Sequence, residues 1–156
     1  MCIRDSEIIG TSGSNILTAL AGNDSLYGQG GTDSLYGGDG DDLLNGGSEQ
    51  DRLEGGAGND RYIVDLATDT VIEALNAGSD TVESSVSWIL GANVEHLTLT
   101  GEWNAIDGQG NGLNNQLTGN NGNNNLDGGA GADTMAGAGG DDTYTCLLYT
   151  SDAADE

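Results

Sequence analysis

Aspartate returns at nine-residue steps along much of this chain, as Asp24, Asp33, Asp42, Asp51 and Asp60, and then as Asp133 and Asp142. Carboxylates at a fixed spacing can serve acid–base catalysis or cation binding. Catalysis needs partners that the sequence does not bring together. The single histidine, His96, lies in an alternating stretch, where a packed or surface role is the ordinary one. Ser84, Ser85 and Ser87 have no G-x-S-x-G turn around them. H-E-x-x-H, G-x-G-x-x-G and the P-loop signature are all missing, so no catalytic motif is visible and the chain reads as non-enzymatic. Cation binding needs only oxygen donors and negative charge.

Both are abundant. The 156 residues include 26 acids against three arginines, a formal charge of −23, with 28 glycines and no proline or phenylalanine. Phosphate contacts require lysine and arginine, so nucleic acid is excluded as a partner. No run approaches the ~18 apolar residues of a membrane span, and the N-terminus lacks the charged and apolar regions of a secretory signal peptide. High acidity with few aromatics also describes disordered chains, in which too little apolar surface is available to offset the ordering of the backbone. Spacing separates the two cases.

Residues 10 to 63 divide into six consecutive nonapeptides without an insertion, from GTSGSNILT to GGAGNDRYI, and residues 110 to 145 give four more. Each follows G-G-x-G-x-D-x-U-x, where U is a large apolar residue. Position eight is Leu17, Leu26, Leu35, Leu44, Leu53 and Tyr62 in the first block, then Leu117, Leu126, Met135 and Tyr144. One inward-facing apolar residue per unit suits a short strand, and the six residues before it form a turn. Strand, turn, strand, turn makes one coil of a parallel β-solenoid, an all-β fold. Stacked coils align position eight into an apolar ladder and position six into an acidic ladder along each edge. At a strand spacing of about 4.8 Å, two unit charges repel by about 3.5 kcal/mol at an effective dielectric of about 20. Two arginines cannot answer that at every step. Ca²⁺ can, because it accepts six to eight oxygens at flexible geometry, whereas Mg²⁺ demands a stricter octahedron.

These nonapeptides resemble the RTX, or haemolysin-type, calcium-binding repeats of secreted bacterial proteins. The resemblance implies a parallel β-roll with several Ca²⁺ ions, each held between a turn and the turn two repeats later on the same edge. It pairs Asp24 with Asp42, Asp33 with Asp51, and Asp42 with Asp60, and adds turn carbonyls from Gly22, Gly31, Gly38, Gly40, Gly56 and Gly58. Asp39 and Asp41 read as solvated turn residues. Position six is Asn15, Asn115 and Asn124 in three units. Asparagine keeps an oxygen and loses the charge, so Asn15 and Asn124 are weaker candidate ligands, and Asp133 and Asp142 are the best of the second block. A neutral, hydrogen-bonded asparagine ladder is the alternative over residues 110 to 127. Glu49 and Gln50 break one turn's glycine pattern, which makes that turn the expected weak point of the first block.

The spacer between the blocks, residues 64–107, alternates in a strand-like way and is rich in β-branched residues. It is expected to continue the parallel sheet in wider coils, with Trp88 and Trp103 packing on it. The first block thus spans 7–63 and the second 108–145. The two ends read differently. Back-translated, MCIRD and CLLYT can be written as reverse complements offset by one base, and both resemble translated sequencing-adapter sequence. On that reading 1–6 and 146–156 are adapter scars, both cysteines (Cys2 and Cys146) fall in them, and the parent protein is longer. With Arg4 and four terminal acids set aside, 22 acids face two arginines.

The resulting expectation is a Ca²⁺-binding module of a longer secreted, extracellular bacterial protein, folding when it binds the ion. The family resemblance further implies export by the one-step type I route. Two other settings are open at this level: the C-terminal part of a secreted protease, lipase or peroxidase, or an adhesive surface repeat.

Overall fold

A computed structural model describes residues 5–146. The adapter reading of the ends falls outside those residues, apart from Asp5, Ser6 and Cys146. No helix among the described residues is long and apolar enough to cross a membrane. The chain is all-β, and every strand pairs in parallel with a strand one coil away.

One face is an eight-stranded sheet of β1 (Glu7–Ile9), β3 (Ser25–Tyr27), β5 (Leu43–Asn45), β7 (Arg61–Val64), β9 (Thr81–Ser84), β11 (His96–Leu99), β13 (Gln116–Thr118) and β15 (Thr134–Ala136), in that order. The other face is two four-stranded sheets. The first holds β2 (Ile16–Thr18), β4 (Ser34–Asp39), β6 (Arg52–Ala57) and β8 (Thr70–Ile72). The second holds β10 (Trp88–Ile89), β12 (Gly108–Gln109), β14 (Asn125–Asp127) and β16 (Thr143–Thr145). This is the β-roll that the nonapeptide spacing predicts. Ser25 lies opposite Leu43 and Leu43 opposite Arg61, so two nonapeptides close one coil.

Position eight forms the core. Leu26, Leu35, Leu44, Leu53, Tyr62, Leu117 and Leu126 are all fully buried, and Val82 and Leu97 carry the same column through the spacer. Full burial of each such side chain contributes about 1.5–3 kcal/mol, and the strands that supply it are only three to six residues long. The roll therefore has a thin apolar core and depends on its edges.

The spacer joins the eight-stranded sheet through β9 and β11, and its coils are uneven rather than uniformly wide. Arg61 faces Thr81 and His96 faces Gln116, each 20 residues on, but Thr81 faces His96 only 15 residues on. The opposite face breaks between β8 and β10 as a result. Trp88 packs into the core, whereas Trp103 does not: it is 75% exposed, in a bend after β11 that belongs to no strand. The nine-residue frame also runs one unit beyond residue 63. Asp69 and Val71 occupy positions six and eight of VDLATDTVI, and β8 pairs with β6 accordingly.

Position four explains one irregularity. Gly22, Gly40 and Gly58 take φ of 124°, 131° and 137°, where a Cβ is unfavourable, and Glu49 is held there at φ 78°. Glu49→Gly is expected to stabilise the folded roll by about 1 kcal/mol, read as a raised thermal midpoint in Ca²⁺. A lowered midpoint would show that Glu49 contributes something its backbone strain conceals.

Candidate metal sites

Along each edge the position-six residues are linked coil to coil. The backbone N–H of Asp24 donates to Oδ1 of Asp42 at 2.7 Å, Asp33 to Asp51 at 2.8 Å, Asp42 to Asp60 at 2.8 Å and Asp51 to Asp69 at 3.0 Å. The first edge continues through the spacer, from Asp60 N–H to Asp80 Oδ1 at 2.8 Å and from Asp80 N–H to Glu95 Oε2 at 2.9 Å. Asp24, Asp33, Asp42, Asp51 and Asp60 are buried to within 3% of completely. The structure thus brings together the three pairs expected from sequence. Asp69, Asp80 and Glu95 extend them, and the unbroken frame through Asp69 could have revealed the first.

One oxygen of each carboxylate is consumed by this ladder. The other, Oδ2 of Asp33, Asp42, Asp51, Asp60 and Asp80, is buried without a hydrogen-bond partner. Leaving a buried charged acceptor unpaired is strongly unfavourable. At four of these aspartates position one is glycine, whereas the turn of Asp80 begins with Glu73. Gly28, Gly37, Gly46 and Gly55 begin the turns of Asp33, Asp42, Asp51 and Asp60, and a Cβ on any of them would collide with the Oδ2 of its own turn. On Gly28 and Gly37 it would also run into the carbonyl oxygen of the position-one glycine one coil further on, Gly46 and Gly55. In the unit that begins with Val64, Asp69 Oδ2 has a partner, accepting from Leu66 N–H at 3.2 Å. Sequence reasoning missed these position-one glycines, although the repeat displays them.

The turn glycines named from sequence lie in a second column on the same edges. The carbonyls of Gly22, Gly38 and Gly40 sit directly beneath Gly40, Gly56 and Gly58, closely enough that a Cβ would strike them. Gly31 closes over the backbone of Gly13 and Ser14 in the same manner. Among the described residues the edges therefore offer carboxylate and carbonyl oxygens and no arginine. Arg52 pairs with Glu54 at 2.7 Å and lies over the Tyr36 ring, and Arg61 pairs with Glu83 at 2.6 Å.

Burial of so much like charge shows in the acids themselves. It pushes Asp51 up to about 6 and Asp60 up to about 7, and raises Asp42, Asp69 and Asp80 above the ordinary aspartate value, with neighbouring aspartates adding to the effect on Asp42, Asp51 and Asp60.

The asparagines at position six behave differently. Asn115 Nδ2 donates to the Val94 carbonyl at 3.0 Å, and Asn124 Nδ2 to the Ile106 carbonyl at 2.6 Å. Asn15 Nδ2 reaches Thr11 Oγ1 at 3.2 Å. Their side-chain oxygens accept from the N–H of Thr11, Asn111 and Asn120, so each amide is internally satisfied. Asn115 and Asn124 N–H still donate to Asp133 and Asp142, which are only half-buried. Asp41 is exposed but not merely solvated, since its Oδ1 accepts from Asn59 N–H at 2.7 Å in a parallel ladder along position five. Asp39 lies exposed at the end of β4. His96 Nε2 lies 2.9 Å from Ser79 Oγ, and Ser84 Oγ donates to the Val86 carbonyl.

A parallel β-roll whose two edges carry buried carboxylates with spare oxygens defines a cation-binding repeat module. The chain matches the RTX calcium-binding nonapeptide repeat family over residues 9–44, 36–71 and 109–144, more than half its length, and belongs to that family. No curated protein and no solved structure matches it.

The raised acids fix a pH dependence. Asp51 and Asp60 bind protons more tightly folded than unfolded, so without metal their contribution to stability is full below about pH 4 and is lost as pH rises through about 6 to 7. In chelator, acidification from pH 8 to 5 is expected to increase the β-structure followed by circular dichroism. In Ca²⁺ the order should reverse, since ligation requires ionised carboxylates. The same slope in both media would contradict this account.

Proposed function

We propose that residues 7–145 are a calcium-dependent folding module of a longer exported bacterial protein, without catalysis of their own. The observation that carries this reading is the column of buried, unpartnered Oδ2 atoms on both edges. Hard oxygen donors, carboxylate with backbone carbonyl, are the donor set that Ca²⁺ takes. The residues that would hold it are Asp24, Asp42 and Asp60 on one edge and Asp33 and Asp51 on the other, with carbonyls of the turn glycines. Asp133 and Asp142 would serve in the second block, where Asn115 and Asn124 close their turns with their own amides instead.

Bound Ca²⁺ supplies the positive charge that the edges lack. Before binding, the stacked aspartates repel one another and the short strands bury too little apolar surface to hold the coils together. After binding, their spare oxygens are paired and the leucine column closes. Free energy of binding becomes free energy of folding. Such a chain would stay extended where calcium is scarce and fold where it is abundant, which suits passage out of the cell before folding.

Titration followed by far-ultraviolet circular dichroism is expected to show cooperative gain of β-structure at about 10⁻⁴–10⁻³ M Ca²⁺, the range of extracellular modules. Mg²⁺ at the same concentration should produce little. A chain equally β-structured in chelator would overturn the proposal.

Gly37→Ala tests the cradle itself. Its methyl group would collide with Asp42 Oδ2, so the Ca²⁺ midpoint should rise several-fold or more while Gly13→Ala, where a Cβ meets nothing within 4 Å, leaves it unchanged. Equal midpoints for the two variants would remove position one from the site.

A further inference from the structure

The first edge carries one carboxylate that no repeat supplies. The turn leading to Asp80 is two residues longer than the others, and at its first position, where Gly37 and Gly55 stand in the preceding coils, it has Glu73. The side chain occupies the space that glycine leaves open elsewhere. Asp60, Glu73 and Asp80 each place a carboxylate oxygen within 4.8 Å of the other two. All three are buried, with relative exposures of 2%, 8% and 0%. Glu73 Oε1 accepts from the Tyr62 hydroxyl and Oε2 from Ala74 N–H at 3.2 Å. Tyr62 is held in turn by Gly55 N–H at 2.8 Å. Oδ2 of Asp60 and of Asp80 remain without any partner.

We propose that Asp60, Glu73 and Asp80 form a separate all-carboxylate site for one Ca²⁺ ion, joining the first repeat block to the spacer. It differs from the repeat edges in kind: a third carboxylate takes the place of open glycine space, and the Tyr62 hydroxyl orients it from the core. Neither Arg52 nor Arg61 is available to neutralise the cluster, being paired with Glu54 and Glu83. Three oxygens of full or shared charge make it the most acidic point on the edge and the one best suited to a hard divalent cation. Burial raises both Asp60 and Glu73 to about 7, as expected of carboxylates that face one another without a counter-charge.

The site rests on the calcium reading above, and the experiment separates the two. Bound Ca²⁺ is counted on the full chain by calorimetry and native mass spectrometry, for the wild type and for Glu73→Gln, with folding at saturating Ca²⁺ checked by circular dichroism. Glu73→Gln is expected to bind one ion fewer with its remaining sites intact. Tyr62→Phe keeps all three carboxylates and loses only the orienting hydroxyl, so it should keep the ion count and weaken one site by about tenfold. An unchanged count and affinity in Glu73→Gln would overturn the site while leaving the module reading in place. Should Glu73→Gln fail to fold, unchanged affinities in Tyr62→Phe would overturn it equally. A wild type that binds no Ca²⁺ would overturn both readings.

Discussion

Everything in this roll depends on how buried carboxylates are stacked. A position-six aspartate cannot be moved to the surface, because its backbone N–H and its Oδ1 are the rungs that hold one coil to the next. Where position six is neutral, as at Asn115 and Asn124, the side-chain oxygen accepts from its own turn's N–H instead. At Asp33, Asp42, Asp51, Asp60 and Asp80 the rung fixes a second oxygen in a dry place with nothing to accept from. The apolar column of Leu26, Leu35, Leu44 and Leu53 is continuous but only one side chain wide per strand, so the edges and not the core decide whether the coils stack.

Along the edge of Asp24, Asp42 and Asp60 two polar ladders run in opposite senses. At position six the earlier coil donates its N–H to the later coil's side chain, as from Asp42 to Asp60; at position five the later coil donates to the earlier side chain, as from Asn59 to Asp41. Adjacent residues thus bind the neighbouring coils from both directions, and a coil is held in register even where its sequence is irregular. The position-six ladder by itself explains how the turn containing Glu49, on the other edge, survives with a side chain in the left-handed region, since Asp51 N–H and Asp51 Oδ1 keep their partners on both sides. It also explains how a step of only 15 residues is accommodated between Asp80 and Glu95, where the longer glutamate side chain reaches back in place of aspartate.

Most of the fold was legible because the period is unbroken and each position has one physical duty. Position eight gave the core, position six the acidic edges, and the pairing of turns two repeats apart followed from the coil of two nonapeptides. What the sequence concealed lies where duties overlap. Asp69 was hidden because its unit lacks every glycine of the motif, with Val64 at position one and Asp65, Leu66 and Ala67 after it. Asp80 and Glu95 were hidden because insertion and deletion shift them out of the frame, although space keeps them on the edge. Trp103 was misread because alternation was extrapolated past the end of β11 into a bend. The asparagines could be read only as weaker versions of aspartate; that Asn115 and Asn124 reach back to the Val94 and Ile106 carbonyls depends on the uneven spacer coils in front of them.

Position one carries the subtler lesson. Its glycines look like ordinary turn formers, yet Gly28, Gly37 and Gly46 do not take positive φ among the residues with that conformation. They are glycine because a side chain would displace the oxygen of their own turn's aspartate. Glycine there serves the carboxylate rather than the turn, and in the unit that begins with Val64 the carboxylate differs, Asp69 Oδ2 taking Leu66 N–H instead. Glu73 departs from that rule: in the lengthened turn the first position carries a side chain, and its carboxylate lies within 4.8 Å of a carboxylate oxygen of Asp60 and of Asp80.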